Sequence, residues 1–197
     1  MKKTSEHQAA YRIAVLPGDG IGHEVTAAGV EVLRAVESRL ASSFELKEFS
    51  VGAGEYLSSG DPMPDPVFEE IKTCDAILLG AMGLPSVRWP DGVEMTPQLD
   101  LRERLELYAG MRPVYLYNPN DSPLRDRAAG AIDLLLVRES TEGLFFSRKQ
   151  KLEPGAVYAE DKLRITRFGA ERVIRAAFHA ASSRRRICSS SRPTRSP

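Results

Sequence analysis

Cysteine, tryptophan and long apolar runs are what this sequence has least of. Two cysteines occur in 197 residues, Cys74 and Cys188, far apart and in unlike surroundings. That excludes a disulfide framework or a cysteine metal cluster and suits a reducing cytoplasm. Cys74 heads an apolar run and reads as a buried free thiol. No apolar stretch approaches the roughly 18 residues needed to span a bilayer, so no membrane is expected. The basic start Met1-Lys2-Lys3 has no apolar segment after it before Tyr11, so a secretory leader is not expected either.

What is present is ordinary for a globular protein: 42% hydrophobic and 27% charged residues, enough to build one domain or one and a fraction. The zero net charge hides an asymmetry. Residues 181–197 hold five arginines and no acid, leaving 22 basic against 27 acidic side chains elsewhere. The body of the chain therefore has no electrostatic reason to bind nucleic acid.

Hydrophobic periodicity reads as an α/β protein with a partly parallel sheet. Residues 12–16 form a short buried strand, broken by Pro17 and its glycines, and a helix is expected from Glu24 to Leu40. Val25, Ala28, Val32, Val36 and Leu40 fall on one face of it. Phe44–Val51 is β-like, Pro66 opens a short helix Val67–Thr73, and Ala76–Gly80 is a second buried strand. Residues 84–97 are loop and Gln98–Tyr108 helix. Pro113–Tyr117, Ile132–Val137 and Leu163–Thr166 are further strands. Thr166 is a fitting N-cap for a helix through Ala181, with Ile174, Ala177, Phe178 and Ala181 as its apolar stripe and Glu171–Arg175 as a favourable pair. The remainder, Ser/Arg/Pro-rich and without periodicity, is expected to be disordered.

Pro17-Gly-Asp-Gly-Ile-Gly22 follows a strand and opens a helix, yet its glycines at 18, 20 and 22 miss the spacing of a dinucleotide fingerprint. Tight turning alone accounts for them. As a whole string, however, Ile13-Ala-Val-Leu-Pro-Gly-Asp-Gly-Ile-Gly-His-Glu-Val25 closely resembles the amino-terminal signature of the isocitrate/isopropylmalate dehydrogenase family, nearest its 3-isopropylmalate members. His23 stands where that family usually has proline, and it is given no role. Further blocks follow in register: Asp75–Gly83, then Leu99-Asp-Leu-Arg102, Tyr108-Ala-Gly-Met-Arg112-Pro-Val, and Val137-Arg138-Glu-Ser-Thr-Glu-Gly143.

The resemblance implies an isopropylmalate dehydrogenase-like α/β fold rather than a Rossmann fold. Residues 1–107 would belong to its first domain and 108–181 would begin the second, dimerisation-type domain, with 182–197 as tail. It implies oxidative decarboxylation of a 2-hydroxy dicarboxylic acid, as in leucine biosynthesis, by a cytoplasmic homodimer using NAD or NADP and Mg2+ or Mn2+. Arg102, Arg112 and Arg138 would bind the substrate carboxylates, since guanidinium meets each carboxylate through two parallel hydrogen bonds. Thr96 and Gln98 would face the variable arm, where their polarity leans towards isocitrate- or tartrate-like acids. Ile21 would touch the cofactor.

Two departures stand out. Phe145 occupies the position of the family's proton-donating tyrosine, so that acid role is lost unless Tyr158, Ser147 or water fills it. No aspartate follows Asp161 and no lysine follows Lys162, whereas the family's metal ligands and catalytic lysine come later in the chain. The expectation is therefore a chain shortened after residue 181, a frame-shifted tail being the preferred explanation over a basic nucleic-acid arm. Impaired activity is expected, with a non-catalytic dicarboxylate-binding or regulatory subunit as the alternative.

Overall fold

A computed structural model describes residues 9–40, 42–150 and 155–184. The chain divides after Leu101 into two compact units. The tail expected to be disordered falls, from residue 185 onward, outside the described residues, as does Cys188.

The first unit holds a three-stranded parallel sheet in the order β2-β1-β3. Strand β1 (Ala9–Gly18) is central, flanked by β2 (Ser42–Glu48) and β3 (Ala76–Ala81). Ile13, Ala14, Val15 and Leu16 are all buried, because a central parallel strand is covered on both faces and has no use for polar alternation. Helix α1 (Gly22–Glu37) joins β1 to β2, while α2 (Ala53–Ser59) and α3 (Asp65–Ile71) join β2 to β3. Pro66 lies in the first turn of α3, and Phe68 and Ile71, three apart, turn inward to the core.

Helix α1 starts and ends earlier than expected, and its phase differs too. Val25, Val32, Val36 and Leu40, expected to point inward, are 41–62% exposed. Gly22 and Thr26 are the buried positions, and Gly29 faces Leu78 of β3. A Cβ on Gly22 would overlap the carbonyl oxygens of Pro17 and Ala81. The glycine edge thus lets the helix lie close to the sheet, and closeness outweighs the apolar stripe in setting its rotation. Cys74, expected to be buried, is a partly exposed free thiol between α3 and β3.

Helix α2 was not expected. It begins after Gly52, whose φ of 137° suits glycine, and ends at left-handed Gly60. Its first N–H groups are satisfied from far away in sequence. The buried Asp19 carboxylate accepts from Ala53 N–H and Gly54 N–H, each at 2.8 Å, and from Gly83 N–H at 2.8 Å. One side chain thereby ties together the loops that follow β1, β2 and β3.

Helix α4 (Pro97–Arg104) is shorter than the expected 98–108, and its last turn leads directly into the second unit. There β4 (Ala109–Tyr115) and β5 (Asp133–Glu139) form an antiparallel pair, Met111 opposite Val137 and Arg112 opposite Leu136. Helix α5 (Arg167–Ser182) has the expected N-cap: Thr166 Oγ1 accepts from Gly169 N–H at 3.0 Å. The helix packs on β5. Its expected stripe is only half right, for Ile174 and Phe178 are 48% and 61% exposed while the partly covered positions include Ala176, Ala177, Ala180 and Ala181. Small side chains permit the closest approach to the strand, so the bulky ones are turned away. Glu171 pairs with Arg167 at 2.7 Å, in place of the expected Arg175. Leu163–Thr166 is no strand; it contributes one isolated bridge, Arg164 to Gly143.

Candidate functional site

The antiparallel ladder determines which arginine side chains share a face. Residues directly opposite one another point the same way, as do residues two apart along a strand. Arg138 is opposite Gly110 and Arg112 is opposite Leu136. Arg112 and Arg138 are therefore diagonal neighbours on one face, a separation of roughly 7–8 Å for such a pair and somewhat less between Cβ atoms. Both are exposed, and Leu134 and Leu136 on that face are 46% and 47% exposed. Glycine at 110, across from Arg138, makes room for the Ser140 hydroxyl, which would lie 2.5 Å from a Cβ placed there. Arg112 lies within β4, which begins at Ala109 rather than at the expected Pro113.

Arg102 is half-buried in the last turn of α4, where its carbonyl accepts from Leu107 N–H at 2.9 Å and helps turn the chain towards β4. Its neighbour Glu103 is gripped by Arg148 through two bonds, Nε at 3.0 Å and a terminal nitrogen at 2.7 Å, with Lys149 at 2.8 Å. Burial works against the charge on Glu103, but the bonds from Arg148 and Lys149 outweigh it and hold the carboxyl below its ordinary value. This ion pair was missed in the sequence because its partners are 45 residues apart.

Thr96 and Gln98 belong to the first unit. The Gln98 Oε1 is shielded from solvent and accepts no hydrogen bond among the described residues. Ile21, at the N-cap of α1, is 58% exposed.

The segment after β5 carries Phe145. It enters a 3-10 turn, Leu144–Ser147, through Gly143 with φ of 75°. The Arg138 guanidinium carbon stands 5.2 Å from the centre of the Phe145 ring, and that of Arg164 stands 3.6 Å from Phe146. Of the groups considered as substitutes for the lost tyrosine, Ser147 is buried with its hydroxyl engaged by Asp161, and Tyr158 is 73% exposed. Glu142 accepts from Thr166 N–H at 2.8 Å and its hydroxyl at 2.6 Å; burial opposes its ionisation, and those two bonds, with the charges of Arg172 and Arg164, overcome it and lower its pKa. Arg172 lies between Tyr108 at 4.6 Å and Phe168 at 4.9 Å, and donates to Thr141 at 2.7 Å.

Two N–H groups of the glycine loop are satisfied within the first unit: Asp19 N–H donates to the Ala81 carbonyl at 2.7 Å, and Gly22 N–H to the Asp19 carbonyl at 2.9 Å. Among the described residues no group of three or more His, Cys, Asp or Glu could hold a metal ion.

Comparison with known proteins agrees with this architecture. The family described as isocitrate/isopropylmalate dehydrogenase matches residues 12–194. The chain belongs to that family. It is 42% identical over 177 residues to a 3-isopropylmalate dehydrogenase of Thermobifida fusca, covering 88% of this chain and 49% of that protein. It is 43% identical over 179 residues to one from Frankia casuarinae, covering 89% and 50%. Among solved structures, an isocitrate dehydrogenase from Methylococcus capsulatus superposes with a TM-score of 0.72 at 29% identity, covering 88% of this chain and 48% of that one. A beta-decarboxylating dehydrogenase from Thermococcus kodakarensis gives 0.61 at 36% identity, covering 88% and 46%. The fold is thus that of the isocitrate/isopropylmalate dehydrogenases, and the chain spans about half the length of the relatives it matches. No helix among the described residues is long and apolar enough to cross a membrane.

Proposed function

We propose that this chain is the dicarboxylate-binding part of a β-decarboxylating dehydrogenase acting on a 2-hydroxy dicarboxylic acid of the 3-isopropylmalate type. The observation that carries this is the shared exposed face of Arg112 and Arg138. Two guanidinium groups a diagonal apart can each grip one carboxylate through parallel hydrogen bonds, which selects a diacid over a monoacid. Leu136, opposite Arg112, sets an exposed aliphatic side chain beside the charge, and so supports an acid with an apolar arm over isocitrate or tartrate. Arg102 completes the proposed clamp from α4.

The full reaction, within leucine biosynthesis under this reading, draws on NAD or NADP as hydride acceptor and on Mg2+ or Mn2+ as a Lewis acid. Under this reading the part of the described residues is to bind and orient the diacid. A homodimer in the cytoplasm is the assembly this reading carries with it. A second reading is favoured by one observation: Phe145 has no proton to give where the family has an acid. It makes the chain a non-catalytic dicarboxylate-binding or regulatory subunit.

Calorimetric titration with malate and 3-isopropylmalate tests the first claim. Binding of both, abolished in Arg112→Ala, is the expected result; unchanged affinity in that variant removes the clamp. An assay of NAD and NADP reduction with isopropylmalate, isocitrate, malate and tartrate in manganese separates the two readings. Binding without turnover favours the subunit, and turnover favours the enzyme.

A further inference from the structure

The face of the Phe145 ring and the Arg138 guanidinium lie 5.2 Å apart, centre to carbon, within the range in which a ring quadrupole attracts a cation. Which partner fixes the other is decided by how each is anchored. Just before the ring, Gly143 N–H donates to Arg164 carbonyl at 2.8 Å and Arg164 N–H returns a bond at 3.3 Å. Just after it, buried Ser147 is bonded to Asp161 and accepts Lys162 N–H at 3.3 Å, and Arg148 forks onto Glu103. None of these contacts involves Arg138. The ring is therefore held at both ends by its own backbone's neighbours, whereas Arg138 is an exposed, long and rotatable side chain near the end of β5.

We propose that Phe145 is a positioning residue, its ring holding the Arg138 guanidinium over the face shared with Arg112 so that it is already oriented for a substrate carboxylate. This rests on the dicarboxylate reading above. A planar guanidinium whose rotamers are restricted before binding loses less freedom when it binds, so the ring acts on affinity rather than on chemistry. The same geometry explains how an aromatic residue keeps a use at 145 without a hydroxyl. The ring face, common to phenylalanine and tyrosine, does the holding, and only the proton donor is missing.

The test uses the full chain with Phe145→Leu, Phe145→Tyr and Arg138→Gln, read by nuclear magnetic resonance of the arginine Nε–H and Cδ–H groups and by malate titration. In the wild type and in Phe145→Tyr, the Arg138 resonances should be displaced by the ring current and malate should bind equally well. Phe145→Leu should abolish the displacement and weaken malate binding about two- to fivefold, the size of an exposed cation–ring contact. Retention of both signals in Phe145→Tyr excludes a general packing effect. An Arg138 resonance that stays displaced in Phe145→Leu, as in the wild type, overturns the positioning role. Lost displacement with unchanged malate affinity in both Phe145→Leu and Arg138→Gln leaves the stack standing and overturns the dicarboxylate reading.

Discussion

The Asp19 carboxylate accepts the N–H of Gly83 at 2.8 Å, joining the loop after β1 to the loop after β3 across 64 residues. The same carboxylate takes two more N–H groups, from Ala53 and Gly54. It is 5% exposed, so water could not replace it without entering the unit. Asp19→Ala should cost about 2–4 kcal/mol, since several donors would be stranded. Asp19→Asn should recover little of this, because its amide nitrogen must face one of those N–H groups. Urea unfolding midpoints measure both; a loss below about 0.5 kcal/mol in Asp19→Ala would contradict the clip.

Glu103 and Glu142 give the second unit a defined acid sensitivity. Both carboxyls are held below their ordinary value despite burial, by Arg148 and Lys149 in one case and by Thr166 with Arg172 and Arg164 in the other. A lowered folded-state pKa means the unfolded chain binds protons more readily. The stability these groups contribute is therefore fully present above about pH 4.3 and is lost as pH falls from there through the folded values. Glu103→Gln should lower stability at pH 7 by about 1–2 kcal/mol and flatten the acid limb of the stability curve. Unfolding measured from pH 3 to 7 checks the slope, and an unchanged slope would show the pair to be idle.

Thr166 caps α5 with a 3.0 Å bond to Gly169 and is itself held by Glu142. Thr166→Ala should cost about 1 kcal/mol for the lost cap, and somewhat more because Glu142 loses a donor. Thr166→Ser should be nearly silent. Helical content and thermal midpoint together report it.

The rotation of α1 and α5 is open to a direct test. Val32 and Phe178 are 62% and 61% exposed, so Val32→Lys and Phe178→Lys should change the stability of this chain by no more than about 0.5 kcal/mol. Gly22→Ala should be severe, for its Cβ would overlap two backbone carbonyls. Were Val32→Lys the worse of the two in thermal unfolding, the apolar stripe would be the inward face after all.

Much of the first unit was legible because parallel strands announce themselves. The run Ile13–Leu16 is apolar throughout, and only a strand covered on both faces needs that. The N-cap at Thr166 and the glycine turn after Leu16 were equally readable, being local chemistry satisfied within a few residues. Helix α2 was not, since the group that caps it sits on another loop 34 residues away. The bridge from Glu103 to Arg148 was hidden for the same reason.

The sequence by itself determined the family, the strand-helix-strand start of the first unit, the cap of α5, and which arginines were worth watching. Periodicity, capping and motif spacing act over one or two helical turns, and a reader can follow them along the chain. Only the tertiary structure decided which face of each helix turns inward, since close approach at Gly22 and the alanines of α5 outweighed the larger apolar residues. It also decided that Arg112 and Arg138 share a face, because strand register is set between segments. Long-range pairing of backbone and charge has no signature in a linear string.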